Sequence, residues 1–351
     1  MHTLAPPVTP GVLGIDVGGT KVALRIEPAD TTTPVQATAP AQATAPASAP
    51  AHASAPDGVR TAAGAVTAVE ATFRWTPSAS AACDLGDLAT HVAALRARWA
   101  GPVAAVGVAM PATIDPAGRV TTWPGRPSWT GLALADALRG LVPGAAVVWA
   151  DDGDLAALAE ANAAGCPDLV YLGLGTGVGG GIVLDGRPCP RPGRGSAEIG
   201  HLVISAGGPP CTCGRQGCVQ ATASGPATLR RAARHRAGDV GGTGGSAARE
   251  EVTFAELRAA WLAGTGWAVR AVRESAQAVA VAVVGLTELL HPAMAVVGGG
   301  FADGLPGFAQ AVDEQARELG RPGHPPAPVR AAVLGGLSSL SGAILLARQA
   351  P

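Results

Sequence analysis

The chain has 351 residues, 48% of them apolar and 15% charged, which is enough to bury a substantial core and suggests roughly two domains. Its 25 basic and 26 acidic side chains leave a formal charge of -1, so no global electrostatic footprint for nucleic acid or an acidic membrane is present. Lys21 is the only lysine, and the abundance of alanine, glycine and proline reads as a GC-rich coding bias that says little about function.

Val12 to Val17 is a short apolar run, and Lys21 to Ile26 resumes with alternating character, so the first segment is expected to be a strand, a tight glycine turn and a second strand. Pro6, Pro7 and Pro10 interrupt the amino terminus, which argues against a secretory leader and for a cytoplasmic protein. Residues 28–58 are built of Ala, Pro, Thr and Ser, repeat the string Gln-Ala-Thr-Ala-Pro, and are expected to form a disordered insertion. Further on, Ala63 to Phe73 suggests a strand, Leu85 to Trp99 a helix, Val103 to Val108 a buried strand and Met110 to Asp115 a turn. A helix over Leu132 to Leu141, a strand over Ala146 to Trp149 and a helix from Asp154 to Ala164 follow.

Leu169 to Leu174 is expected to be a strand running into a glycine-rich loop, with another hairpin through Ile182 to Arg187. The stretch from Ala206 to Gly217 reads as loop and Gly225 to Arg236 as helix, before a flexible patch at Gly238 to Gly245. Helices at Thr253 to Ala263 and Trp267 to Leu290 lead to a strand at Ala293 to Val297. Glu288, His291 and Pro292 break the most apolar stretch, so it is a buried helix and strand rather than a membrane span. A helix at Pro306 to Leu319, a strand at Val329 to Val333 and a helix at Leu337 to Arg348 complete the chain. Strands alternating with helices, twice over, argue for two α/β lobes with a cleft between them.

Four strings carry chemistry. Asp16-Val17-Gly18-Gly19-Thr20-Lys21 follows a strand, and its paired glycines let backbone N–H groups approach phosphate oxygens, with Asp16 placed to hold hydrated magnesium; the same string also fits an ordinary hairpin turn. Glycines at 173, 175, 177, 179, 180 and 181, with the Thr176 hydroxyl among them, offer a second phosphate-cradling loop or a mobile turn. Asp151 and Asp152 precede a helix, where one could accept the proton of an attacking hydroxyl or simply cap the helix. His201, Cys211, Cys213 and Cys218 fit a closed tetrahedral zinc site that would order a loop poor in large apolar groups; incidental thiols of a reducing compartment are the alternative.

Taken together, these strings resemble the ROK family of sugar kinases and regulators, built on the two-lobed actin-like ATPase (ribonuclease H-like) α/β fold shared with hexokinases. The family's Asp-x-Gly-Gly-Thr-Lys element matches Asp16 to Lys21, its Gly-Thr-Gly-x-Gly-Gly-Gly element Gly175 to Gly181, its Glu-x-Gly-His element Glu198 to His201 and its Cys-x-Cys-Gly-x-x-Gly-Cys run Cys211 to Cys218. The resemblance implies a small lobe of residues 1–150 with 337–351, and a large lobe of residues 151–336 carrying a zinc loop at 201–218. ATP would be held by Asp16, Gly18, Gly19, Thr20, Lys21, Gly175, Thr176, Gly177 and Gly179, with Gly299 and Gly300 on the adenosine side. Asp152 takes the position of the catalytic base, and Glu198 and His201 those of sugar-hydroxyl ligands, His201 also holding zinc with Cys211, Cys213 and Cys218. A homodimer and a small polyol acceptor are implied, with no nucleic acid or membrane partner.

Three places depart from the family pattern. Asp151 stands where the kinases have Asn, Gln220 where they have Glu, and Met110-Pro111-Ala112 where they have Pro-Gly, so Asp151, Gln220 and Pro111 are candidate substrate contacts with a rewritten hydrogen-bond pattern and unchanged formal charge. The acceptor expected from these changes is the exocyclic hydroxymethyl of a seven-carbon cyclitol of the valienone type, as in aminocyclitol antibiotic biosynthesis. A glucokinase, an N-acetyl amino-sugar kinase and a non-catalytic sugar sensor are the alternatives. A DNA-binding regulator is disfavoured, because only about a dozen residues precede the first strand, too few for a helix-turn-helix.

Overall fold

Near-continuous apolar runs such as Val12 to Ile15 and Val103 to Ala109 suit strands covered on both faces, and each lies at the centre of a sheet in the computed structural model, which describes residues 9–30, 59–60, 66–76, 80–190, 195–239 and 251–350. The chain divides into two compact units, one of Met1–Leu155, Arg191–Gly195 and Leu337–Pro351, the other of Ala156–Pro190 and Ser196–Gly336.

The first unit contains β1 (Gly11–Val17), β2 (Lys21–Pro28), β3 (Val59–Arg60), β4 (Val66–Arg74), α1 (Ala81–Ala97), β5 (Val103–Ala109), β6 (Thr113–Ile114), β7 (Val120–Thr122), α2 (Leu134–Leu141) and β8 (Ala146–Ala150). Its mixed sheet runs β3-β4-β2-β1-β5-β8, antiparallel on the hairpin side and parallel from β1 to β8. Ser80 caps α1 by accepting from the Cys83 N–H at 3.2 Å, and the helix buries Leu88, Val92 and Leu95 against Leu24, Ile26 and Val106 in one apolar cluster. The C-terminal helix Ser338–Arg348 lies directly on β1 and β5. Glycines permit that approach: a Cβ on Gly107 would stand 1.9 Å from the Ala343 carbonyl oxygen, and one on Gly14 would stand 2.8 Å from the Ile344 side chain. This packing is why the last residues of the chain belong to the first unit.

The dividing point falls inside α3 (Asp152–Ala164). The second unit continues with β9 (Leu169–Leu174), β10 (Val178–Leu184), β11 (Arg187–Cys189), α4 (Val219–Ala223), α5 (Gly225–Asp239), α6 (Phe254–Leu262), α7 (Gly266–Leu290), β12 (Met294–Gly298), α8 (Gly300–Asp303), α9 (Phe308–Leu319) and β13 (Val329–Ala331). The C-terminal helix of the first unit is then α10. The second sheet, ordered β11-β10-β9-β12-β13, repeats the plan of the first: an antiparallel hairpin, then parallel strands. Ala268, Ala271, Ala276, Ala278, Ala280 and Ala282 are buried along α7, small enough for α4, α5 and α9 to lie against it. His291 ends α7 at φ 48° before Pro292, and no helix among the described residues is long and apolar enough to cross a membrane.

Several boundaries differ from the sequence expectation. Residues Met110 to Asp115 are not a simple turn, because Thr113–Ile114 pairs with Val120–Thr122; the Asp115 carboxylate accepts from the Ala117 and Arg119 N–H groups, each at 2.9 Å, and closes that hairpin. The expected insertion does not start at Pro28, which ends β2, and the Ala29 N–H still donates to the Pro10 carbonyl at 2.9 Å. Residues 31–58 lie outside the described residues, as do 240–245 of the patch expected at Gly238, whose first two residues finish α5.

Candidate active site

Parallel register aligns the carboxyl ends of the central strands of the first unit: Asp16 of β1 lies opposite Ala109 of β5, and Ala109 opposite Ala150 of β8. Functional groups collect at such strand ends because the chain must turn there. One edge therefore carries Asp16 with its glycine turn, Met110-Pro111-Ala112 after β5, and Asp151-Asp152 after β8. The Met110 N–H donates to the Ala150 carbonyl at 3.2 Å and ties the Pro111 segment to the residue before Asp151.

The first glycine turn is closed by the Gly18 N–H donating to the Lys21 carbonyl at 3.0 Å. Thr20 and Lys21 are exposed, whereas burial, then the nearby Asp152 charge, raises the Asp16 carboxyl to about 7 against the opposing pull of Lys21. Capping duty falls on Asp151, whose carbonyl accepts from Leu155 at 3.1 Å and whose carboxylate accepts from the Gly153 N–H at 2.9 Å. Asp152 is the first residue of α3, two residues earlier than its composition suggested. Two carboxylates that repel are a donor set suited to a hard divalent cation with nucleotide phosphates, so Asp16 fits a magnesium ligand.

In the second unit the glycine turn is shorter than the sequence implied. Only Gly175 to Gly177 lie between strands, while Gly179, Gly180 and Gly181 belong to β10. Small size serves packing at Gly180, where a Cβ would stand 2.2 Å from the Tyr171 carbonyl oxygen, whereas Gly179 is exposed with open space around it. Gly175 donates to Gly177 at 2.9 Å and accepts from Gly225 at 2.9 Å. Gly299, at φ 88°, presses against the end of β9, where a Cβ would stand 2.6 Å from the Leu174 N; Gly300 opens α8 beside it. The expected adenosine-side glycines and the second turn are thus neighbours.

Glu198 precedes and His201 ends the 3-10 turn Ile199–His201, which lies so close to β10 that a Cβ on Gly200 would stand 1.8 Å from the Val178 carbonyl oxygen. The exposed Glu198 carboxylate accepts from the Ser196 hydroxyl at 3.0 Å. The ligand atoms of His201, Cys211, Cys213 and Cys218 all lie within 4.8 Å of one another, with His201 Nδ1 3.7 Å from the Cys211 Sγ and the Cys213 and Cys218 Sγ atoms 3.7 Å apart. Zinc with Zn–S bonds of about 2.3 Å sets its thiolates about 3.8 Å apart, so the cluster fits that ion. The Arg215 N–H and guanidinium lower the Cys213 thiol, while burial raises that of Cys218.

Gln220 bridges two of these features. Its Oε1 accepts from the Val178 N–H at 3.0 Å and its Nε2 donates to the Thr212 hydroxyl at 3.3 Å, joining the glycine turn to the cysteine loop. Gly177 lies close beside it: a Cβ there would stand 2.6 Å from that Oε1, so a larger residue would displace the Gln220 amide. Sequence reasoning passed over Trp75, Asp84 and Arg126, which contact the first glycine turn directly or through one another. The available signal was one arginine in a Trp-Pro-Gly-Arg-Pro-Ser-Trp segment.

Two mixed sheets, each with a glycine turn, a carboxylate pair and a Cys/His loop accord with what the relatives show, that the chain is a sugar kinase, an ATP-dependent phosphotransferase with an alcohol acceptor. The chain belongs to the ROK family, whose sequence profile matches residues 58–350. It is 48% identical to the kanosamine kinase of Amycolatopsis mediterranei (strain S699) over 339 residues, 97% of this chain and 96% of that protein. Among solved structures it is similar to the ROK hexokinase of Thermus thermophilus, with a TM-score of 0.74, 27% identity and coverage of 97% and 98% of the two chains. The ROK glucokinase of Streptomyces griseus, in complex with glucose and AMPPNP, gives a TM-score of 0.68 at 26% identity, covering 97% and 99%.

Proposed function

We propose that this enzyme transfers the γ-phosphoryl group of ATP to the primary hydroxyl of an amino sugar of the kanosamine type, a glucose bearing an amine in place of one ring hydroxyl. The observation that carries this reading is 48% identity, along nearly the whole of both chains, to a protein named for that substrate. Asp151 supports it. At a position where the family has Asn, a carboxylate accepts from an ammonium group and adds charge attraction that a neutral carboxamide lacks.

Asp152 is the group we assign to accept the hydroxyl proton as the oxygen attacks, a step that needs one positioned carboxylate and little other covalent chemistry. The turn at Gly18 to Lys21 and the turn at Gly175 to Gly177 are assigned to the phosphates, Gly299 and Gly300 to the adenosine side, and Glu198 and His201 to the sugar hydroxyls. Magnesium, held through Asp16 and the phosphates, would neutralise charge developing on the transferred group. Zinc on His201, Cys211, Cys213 and Cys218 would stiffen the loop that carries Thr212, and through Gln220 the second glycine turn.

Coupled ADP release over kanosamine, glucose, N-acetylmannosamine and a seven-carbon cyclitol tests the reading. Kanosamine should give the highest kcat/KM. A cyclitol preference would restore the acceptor expected from the altered pocket residues, and a glucose preference would remove the role given to Asp151.

A further inference from the structure

We propose that Arg126, Asp84 and Trp75 are positioning residues for the nucleotide phosphates, turning the carbonyl groups of the first glycine turn away so that its N–H groups face the anion. This rests on Asp16 to Lys21 being the phosphate loop. The Gly18 carbonyl accepts from the Trp75 indole N–H at 2.8 Å, the Gly19 carbonyl from Arg126 Nε at 3.2 Å, and the Thr20 carbonyl from the Trp75 backbone N–H at 3.3 Å. In a trans peptide the C=O and the following N–H point in opposite directions, and the peptides of this turn are trans. Holding the Gly18 and Gly19 oxygens on one side therefore aims the Gly19 and Thr20 N–H groups at the other.

A Gly-Gly turn needs such support. Glycine reaches many backbone conformations at little steric cost, and several of them would present a carbonyl oxygen to the phosphate and repel it. Donors fixed before the nucleotide arrives remove that reorganisation from the binding and chemical steps. Arg126 is itself fixed. Its Nη1 pairs at 2.7 Å with Asp84, a wholly buried carboxylate whose other oxygen accepts from the Trp129 indole N–H at 2.8 Å. The guanidinium also lies over the Trp75 ring, 4.8 Å from its centroid.

The segment around Arg126 forms a floor beneath the turn. A Cβ on Gly19 would stand 3.4 Å from the Gly125 Cα, and Trp123 meets Trp129 edge-on at 4.9 Å between centroids. An arginine suits this place because its planar fork lets Nε serve the Gly19 carbonyl while Nη1 holds Asp84, two directions that one lysine ammonium on a flexible stem satisfies poorly.

Arg126→Lys keeps the charge beside Asp84 and removes the Nε bridge, and Trp75→Phe keeps the ring and removes the indole donor. AMPPNP affinity is measured by calorimetry without acceptor, and KM is measured separately for MgATP and for kanosamine. Each variant should bind AMPPNP about tenfold more weakly, with a matching rise in KM for MgATP and an acceptor KM within about twofold of wild type. Unchanged nucleotide affinity overturns the proposal, as does equal weakening toward nucleotide and acceptor together with a lower melting temperature, the signature of a purely structural cluster. Should Arg126→Lys fail to fold, Trp75→Phe alone decides. The titration contains no sugar, so a wrong acceptor assignment leaves it readable, while a wild-type protein that binds no AMPPNP removes the phosphate-loop assignment and this proposal together.

Discussion

The carboxylates of Asp16, at the end of β1, and Asp152, at the start of α3, repel each other: burial, and after it the Asp152 charge, lifts the Asp16 carboxyl to about 7, while Lys21 opposes the rise. A cation or a proton would relieve that repulsion, which is what the magnesium role proposed for Asp16 requires.

Asp16→Asn should expose the repulsion directly. The folded pKa of Asp16 lies above its unfolded value, so the folded protein holds the extra proton, and the associated stability is complete below about pH 4 and lost as pH rises through about 7. Metal-free Asp16→Asn protein is expected to melt several degrees above wild type at pH 8, with the gap closing as pH falls toward 4, while losing most of its turnover. Thermal melts across that range check it, and identical curves for the two proteins would remove the repulsion.

Asp152→Asn separates catalysis from capping. Asp151 performs the cap through the Gly153 N–H, so the variant should fold and keep its AMPPNP affinity within a few fold, with any change in melting temperature at pH 8 upward because the repulsion of Asp16 is relieved. Its kcat should fall by about a hundred to ten thousandfold. Steady-state kinetics near the wild-type value would show that another group takes the proton.

Asp151→Asn tests acceptor choice at nearly constant stability, because Asn caps a helix about as well as Asp. Loss of the carboxylate should lower the kanosamine-to-glucose ratio of kcat/KM by about tenfold. An unchanged ratio would place the amine of the substrate elsewhere.

For the Cys/His cluster, elemental analysis should find one zinc per chain. Cys218→Ser should abolish it and lower the melting temperature, since the buried Cys218 thiol is then missing from the tetrahedron. Through the Thr212–Gln220–Val178 chain, the KM for MgATP should rise as well. Metal-free wild-type protein with full activity would leave the cluster without its assigned role.

Local patterns along the chain determined much of this molecule. The strands at Leu13 and Leu169 are uninterrupted apolar runs, α7 has a long apolar face ended by His291 and Pro292, and the two turns are glycine-rich. The candidate zinc ligands fall within a short stretch from His201 to Cys218, where spacing alone constrains which atoms meet. Each of these features shows in a local residue pattern, whichever distant partner the element finally meets.

Tertiary structure decided the rest. Gly179 to Gly181 read as loop in a glycine count, yet pairing with β9 makes them strand. Arg126 reaches the Gly19 carbonyl across 107 positions of sequence, Asp84 is a buried counterion rather than an ordinary first-turn acid, and Gln220 joins two loops. No local preference encodes such contacts, because the hydrogen-bond partner of a side chain is whichever distant group the packed sheets and helices bring within about 3 Å of it.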